Sequence, residues 1–312
     1  MTNKFEVRPL SDGLPYGVEI VGLRPEDIVD PAVQDSLRRH WVNDGVMVFR
    51  GLEGADVHLA LSRVFGSLLV HPLRTDPTRS EIFTVRHDPE DPYIVDVDGT
   101  LLAAWLPWHS DLIYVDQINH GGILRPLILP ERGGETGFID KIATYAALPQ
   151  RLKDKVEGLN VVYHFYRNPA LQVFGQKNTI QVVQETRAAI ESKNKNLPRV
   201  IHPLVYTQAE TGRKVLNVSP WFAMGIEGMA EAESSALLHE IMAYATDPKL
   251  SYWHRWQMDD MVLWDNWRML HCAAGCPPDD QRWMERTTIA GDYGLGRIEG
   301  NHAIDPSAVM DV

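Results

Sequence analysis

The sequence predicts a mainly β protein with peripheral helices, built on a closed or sandwiched β core for which a jelly roll is one solution. Three observations carry this. Short apolar runs separated by Pro, Gly and Asp clusters recur from residue 81 to 140 and again near the C-terminal end. Helical spacing is confined to a few short stretches around them. No linker, internal repeat or low-complexity segment divides the 312 residues, so residues 1–312 read as a single domain.

The elements follow in chain order. Residues 31–43 place Pro31 at a first helical position and Val33, Leu37 and Trp41 at helical spacing. Val46 to Phe49, bounded by Gly45 and Gly51, is a short buried strand, and 56–66 is a second helix ending at Gly66. Strands are expected at 82–85, 101–105 and 122–128, then a polar helix over 149–157 stopped by Gly158, and a strand at 161–166. Residues 167–199, rich in Asn, Gln and Lys, read as a lid or flexible insertion. Beyond them come a hairpin, 201–207 with 214–218, around Glu210-Thr211-Gly212, and a helix over 229–245. The last strands are 261–264 and 286–290.

Charge and composition exclude several classes. Apolar residues are 44% and charged residues 23% of the chain, ordinary globular usage that argues against disorder and coiled coils. Lys and Arg number 30 against 42 Asp and Glu, with no basic stripe, so no nucleic-acid partner is expected. Two cysteines, Cys272 and Cys276, make no disulfide framework. No apolar run reaches the ~18 residues of a membrane span, and MTNKFEVRPL lacks the apolar centre of a secretory signal. The expectation is a cytoplasmic protein without a membrane partner.

The chemistry begins at His109-Ser110-Asp111, a His-x-Asp at an expected strand end. Side chains two apart on a strand share a face, so both can address one metal ion, and a distant His completes a 2-His-1-carboxylate set with open positions. With 12 His in 312 residues, about one such tripeptide arises by chance, so context must decide. His271 lies just beyond the 261–264 strand, and Arg282 and Arg286 follow it at an offset of four, on one face of a strand. Inward-pointing guanidinium groups need anions. The plainer alternatives are a satisfied core histidine and two exposed arginines paired with Glu285 or Asp292. Reading His271, Cys272 and Cys276 as a zinc cluster lacks a fourth ligand, and Cys272 is more simply a small buried hydrophobe.

The arrangement resembles the iron(II)/2-oxoglutarate dioxygenases of the taurine dioxygenase and phenoxyacetate dioxygenase (TauD/TfdA) family over residues 15–292. The matching segments are Gly45 to Gly51, Phe65-Gly66 with His71-Pro72, Trp108 to Asp111, Gly133 to Thr136, Ala147 to Pro149, Thr211 to Lys214, Trp264-Asp265-Asn266 leading to His271, and Arg282 with Arg286. The resemblance implies a double-stranded β-helix and these roles. His109, Asp111 and His271 hold Fe(II); Thr136 and Arg282 bind the distal carboxylate of 2-oxoglutarate; Arg286 grips an acidic group of the substrate, with His71 assisting. It further implies a reaction consuming O2 and 2-oxoglutarate, releasing succinate and CO2, and hydroxylating a substrate carbon. Relatives are commonly dimers or tetramers, so a homo-oligomer is expected.

Departures from the family pattern narrow the substrate. Four residues before His109, where family members often place Asn, stands Trp105, which exchanges a polar contact for an aromatic wall. Tyr114, Phe165, Tyr166, Trp221 and Phe222 are candidates for the rest of an apolar cavity. The expected substrate is a small anionic molecule, an aryl- or aryloxy-alkanoate before a small sulfonate. The alternatives are a biosynthetic hydroxylase or desaturase acting on an amino-acid-derived acid and, from a different class, a non-catalytic jelly-roll binding protein.

Overall fold

The computed structural model describes residues 4–70, 79–175, 178–186, 197–291 and 293–300. The N-terminal third holds β1 (Glu6–Pro9), β2 (Val18–Val21), α1 (Pro31–Asp44), β3 (Val46–Arg50), α2 (Ala55–Phe65), β4 (Ile82–His87) and β5 (Ile94–Val97). Next come β6 (Thr100–His109), β7 (Gly121–Ile128), β8 (Thr136–Asp140), α3 (Lys141–Ala147), α4 (Gln150–Val156) and β9 (Asn160–Tyr163). The remainder is β10 (Ile180–Gln184), β11 (Val200–Pro203), β12 (Val205–Thr207), β13 (Lys214–Leu216), β14 (Ala223–Ile226), α5 (Glu231–Ala245), β15 (Ser251–His254), β16 (Asp260–Asp265), β17 (Met269–Cys276), β18 (Arg282–Ile289) and β19 (Arg297–Ile298).

Two large sheets form the jelly-roll core. Seven strands run in the order β1-β2-β3-β16-β7-β18-β4, and six in the order β10-β5-β6-β17-β8-β15. Between them lies one apolar layer: Val46, Val48, Leu124, Val262, Trp264 and Met284 from the larger sheet meet Phe138 and Met269 from the smaller. The alternate residues Met47, Phe49, Ile123, Met261 and Leu263 face outward and are covered by Leu37 and Trp41 of α1 and Leu61 and Val64 of α2. That double coverage explains why β3 and β16 read as unbroken apolar runs rather than alternating ones. At ~25 cal/mol per Å2, each fully buried Val, Leu, Met or Phe here contributes about 1.5–3 kcal/mol before entropy is set against it.

The helices begin and end where the local chemistry dictates. Asp30 caps α1 by accepting from the Ala32 amide at 2.9 Å, with Pro31 at the first turn. Gly45 ends it at φ +75°, where a Cβ would sit 2.8 Å from Met269 Sδ and 3.0 Å from Arg268 Nε. The wholly buried Arg268 pairs with Asp140 at 2.5 Å and donates to the carbonyls of Val42 and Asn43 at 2.8 and 3.0 Å, tying the end of α1 to β8 and β17. α2 is fixed by His58 Nε2 on the Ile123 carbonyl (3.1 Å) and by Ser62 on Thr287 (2.7 Å).

Several expectations need correction. The strand expected over 161–166 ends at Tyr163. The hairpin is β12–β13 alone, because β11 turns away to pair with β9 and β19. Within the segment 167–199, β10 pairs antiparallel with β5 and extends the smaller sheet; residues 176–177 and 187–196 lie outside the described residues. A whole strand, β17, was hidden in the run after Trp267, and it carries His271.

Candidate active site

His109 is the last residue of β6 and His271 the third of β17, and the two are direct partners in the antiparallel register. A bulge between His271 and Ala273 interrupts that pairing, the kind of irregularity that re-aims side chains near a site. The imidazole rings lie 4.2 Å apart between centroids. Asp111 sits in the turn just past β6 rather than on the strand itself, so a turn, not strand alternation, brings it to the same side as His109. Its Oδ1 is 3.7 Å from His109 Nε2 and its Oδ2 is 3.4 Å from His271 Nε2. One ligand atom from each of the three residues falls within 4.8 Å of the others, and no other such cluster of His, Cys, Asp or Glu occurs among the described residues.

The surroundings fix these groups in ligating form. His109 Nδ1 lies 2.7 Å from the Pro107 carbonyl; a carbonyl only accepts, so Nδ1 carries the proton and Nε2 keeps its lone pair for the site. Burial holds His271 neutral, with its pKa pushed down to about 4. Burial alone would raise the Asp111 carboxyl, but Arg286, His271 and His109 reverse this and hold it well below the usual carboxylate range. Arg286 grips that carboxylate through both Nη atoms, at 2.6 and 3.3 Å. Asn266 clamps the Asp111 backbone from both sides: its Oδ1 accepts from the Asp111 amide at 2.8 Å and its Nδ2 donates to the Asp111 carbonyl at 2.9 Å. Ser110, between the two ligands, takes a 3.1 Å hydrogen bond from the buried Lys141 ammonium. Two neutral imidazole nitrogens and one carboxylate, backed in this way, suit a divalent transition metal.

The other arginine of β18 has a different character. Arg282 is buried, its Nη2 reaches only the Gly134 carbonyl at 3.4 Å, and its Nε has no partner among the described residues. Burial pulls its pKa down to about 10. A buried guanidinium without a carboxylate is costly, which is what a pocket awaiting an acidic ligand shows. Thr136 lies on β8, and its Oγ1 accepts from Trp256 Nε1 at 3.1 Å. An indole nitrogen only donates, so the threonine hydroxyl hydrogen stays available. Arg282 and Arg286 share the inner face of β18, as their offset of four predicts.

A cavity of about 320 Å3 opens onto His109, Asp111 and Arg286, leaving the metal position accessible from one side. Its walls are Leu69, Phe83, Leu106, Leu112, Tyr114, Phe165, Trp221 and Phe222, with Arg167 and Thr288 the other polar residues. The aromatic wall is mutually packed: Trp221 stacks on Phe222 at 4.3 Å, and Tyr114 lies 4.8 Å from both Phe165 and Phe222. Leu112 and Phe222 hold left-handed backbone, φ +54° and +76°, a conformation costing about 1–3 kcal/mol at non-glycine residues and commonly found at ligand sites.

Of the expected site residues, His109, Asp111 and Arg286 line this cavity, and His271 joins them through its contact with Asp111. Trp105 is buried, but Leu106 and not Trp105 faces the cavity, because the bulge shifts the alternation of β6. Tyr166 stands behind the wall, its hydroxyl accepting from the Phe222 amide at 3.1 Å. His71 lies outside the described residues. Cys272 and Cys276 are buried free thiols, and Cys272, adjacent to His271 on its strand, faces the other side. Sequence reasoning missed Arg167 and the clamping role of Asn266. Asn266 stood in the quoted motif, but nothing in the sequence shows its contacts to Asp111.

The taurine catabolism dioxygenase TauD, TfdA family profile matches residues 6–288. The (S)-phenoxypropionate/alpha-ketoglutarate-dioxygenase of Sphingobium herbicidovorans is 31% identical over 304 residues, covering 94% of this chain and 97% of its own. The alpha-ketoglutarate-dependent 2,4-dichlorophenoxyacetate dioxygenase of Cupriavidus pinatubonensis is 30% identical over 293 residues, 91% and 97% of the two chains. A taurine dioxygenase structure from Burkholderia xenovorans superposes with a TM-score of 0.74 at 24% identity, covering 99% of each chain.

Proposed function

The chain belongs to the TauD, TfdA family of dioxygenases, and we propose that within it the enzyme oxidises an aryl- or aryloxy-alkanoate. It is an Fe(II)- and 2-oxoglutarate-dependent dioxygenase that uses O2. The single observation that favours this substrate class is the cavity, which a packed aromatic wall shares with the Arg286 guanidinium beside the ligand cluster. Two relatives at about this identity act, by name, on phenoxyalkanoates.

His109 Nε2, His271 Nε2 and one Asp111 oxygen would hold the metal. Fe(II) bound there supplies the O2 activation that couples decarboxylation of 2-oxoglutarate to oxidation of a substrate C–H bond. The chain's own residues do the positioning. Arg282, supported by the free hydroxyl hydrogen of Thr136, takes the distal carboxylate of 2-oxoglutarate and so ends its unpaired state. Arg286 orients Asp111 and presents its remaining N–H groups to the acid group of the substrate, with His71 assisting. Tyr114, Trp221 and Phe222 exclude water and hold an aryl group by its faces. Hydroxylation of a carbon bearing an ether oxygen gives a hemiacetal, which collapses and releases a phenol.

Residues 1–312 act as one domain in this reading, supported by the continuous family match, and the 167–199 segment supplies part of the cavity rim. No helix among the described residues is long and apolar enough to cross a membrane. In this reading the enzyme works in the cytoplasm as a homo-oligomer, and light scattering on the purified protein tests its oligomeric state. The substrate assignment is tested by following 2-oxoglutarate consumption against aryloxyalkanoates, arylacetates, alkyl sulfates, sulfonates and acylated amino acids. Phenol released one-for-one with succinate supports it. Stimulation by acylated amino acids alone would instead indicate a tailoring hydroxylase.

A further inference from the structure

Two guanidinium groups line the cavity, Arg286 and Arg167, but a single carboxylate, Asp111. Arg286 is committed to that carboxylate through both Nη atoms. Arg167 has no hydrogen bond or ion pair among the described residues, although it stands half-buried at the rim beside Phe165. It lies within electrostatic range of Tyr114, the residue that also feels Asp111 and Arg286. A cation turned into an apolar, aromatic-walled cavity loses part of its hydration without a counter-ion, and gains most from a ligand that supplies one.

We propose that Arg167 is a further anion-binding group for the primary substrate, pairing with its carboxylate at the cavity rim in addition to Arg286 while the aryl group packs against Trp221 and Phe222. This deepens the proposed function and rests on it for the identity of the ligand. The reasoning is a comparison of available charge. Arg286 can offer a substrate only what Asp111 leaves, whereas the fork of Arg167 is wholly unspent and its geometry matches a carboxylate.

The test is a titration of phenoxyacetate and its methyl ester, read by tryptophan fluorescence, into anaerobic Fe(II)- and 2-oxoglutarate-loaded enzyme and its Arg167→Gln and Arg167→Lys variants. Substrate-independent conversion of 2-oxoglutarate to succinate in air is measured alongside. Arg167→Gln should weaken phenoxyacetate binding by at least about tenfold, leave the methyl ester unchanged, and keep the substrate-independent conversion. Arg167→Lys should recover part of the loss. Equal phenoxyacetate affinity in wild type and Arg167→Gln overturns the proposal and leaves the acid group to Arg286, as does a wild-type cavity that binds no phenoxyacetate. Acid binding that depends on Arg167 in a protein that makes no succinate would keep this inference and sink the dioxygenase reading instead.

Discussion

Replacing Arg282 with Met should make the ligand-free protein more stable while destroying its response to 2-oxoglutarate. Arg282 is 4% exposed and meets no carboxylate among the described residues; burial draws its pKa down by more than two units to about 10. At about 1.36 kcal/mol per pKa unit, holding that charge in place costs the fold ~3 kcal/mol. The sign follows from the direction. The folded-state pKa is depressed for a cationic group, so the penalty is fully present below about pH 10 and fades only as pH rises further toward the free guanidinium range. A methionine of similar length removes the charge and fills most of the space. With an unfolding entropy of about 2.1 cal/mol/K per residue, 3 kcal/mol corresponds to a rise in Tm of roughly 3–5 °C. The assay is thermal unfolding at pH 7.5 with Fe(II) under nitrogen, with and without 2-oxoglutarate. Wild type should gain stability with ligand concentration as RT ln(1 + [L]/Kd), and Arg282→Met should start higher and not move. A variant that is destabilised without ligand, or that still responds to 2-oxoglutarate as wild type does, refutes the reasoning that this guanidinium waits for a carboxylate.

Asp111→Ala should stay soluble but lose turnover completely, and its Tm should fall, because Arg286 is left without its partner at 2.6 Å; measurable coupled succinate release would remove Asp111 from the ligand set. Asn266→Ala should lower metal affinity or activity by about 10- to 100-fold through the released Asp111 backbone, read by Fe(II) titration, with Asn266→Gln no better since its longer arm cannot make both bonds. His58 and His202 are buried and neutral, with burial pushing their pKa values down to about 3 and about 4. Depressed values in bases mean stability that is complete above about pH 6.5 and lost as pH falls, by about 1.4 kcal/mol per pH unit for each histidine. Urea midpoints at pH 6.5 and 4.5 should show this fall, and His58→Asn should flatten part of it; an unchanged slope would mean that other groups drive the acid transition. Gly45→Ala should cost more than 1 kcal/mol, because a side chain at φ +75° is strained and meets Met269 at 2.8 Å.

Much of this was legible because the residues involved are constrained by local rules. β3 and β16 are apolar on both faces, so their runs stand out, and α1 carries its cap, its Pro31 and its terminal Gly45 in plain sight. The pairing of Arg282 and Arg286 follows from strand periodicity alone. What failed was what depends on long-range pairing. β17 is masked by His271, by Ala273 and Ala274 and by the Gly275 that follows them, and only its neighbours β6 and β8 make it a strand. Trp105 was expected at the cavity, but a bulge in the pairing of β6 with β17 decides that Leu106 faces it instead. Arg167 carried no local signal: an arginine in a polar, Asn- and Gln-rich stretch reads as solvated until the fold places Phe165 and Phe222 around it.

If His109, Asp111 and His271 with Arg282 form one metal-dependent 2-oxoglutarate site, metal and co-substrate must bind together. Anaerobic calorimetric titration of 2-oxoglutarate into the metal-free and the Fe(II)-loaded protein tests this most directly. One 2-oxoglutarate should bind per chain with Fe(II) present, at least about tenfold more weakly without it, and none in the Fe(II)-treated Asp111→Ala variant. Binding of equal strength with and without the metal, or no binding in either state, would contradict it.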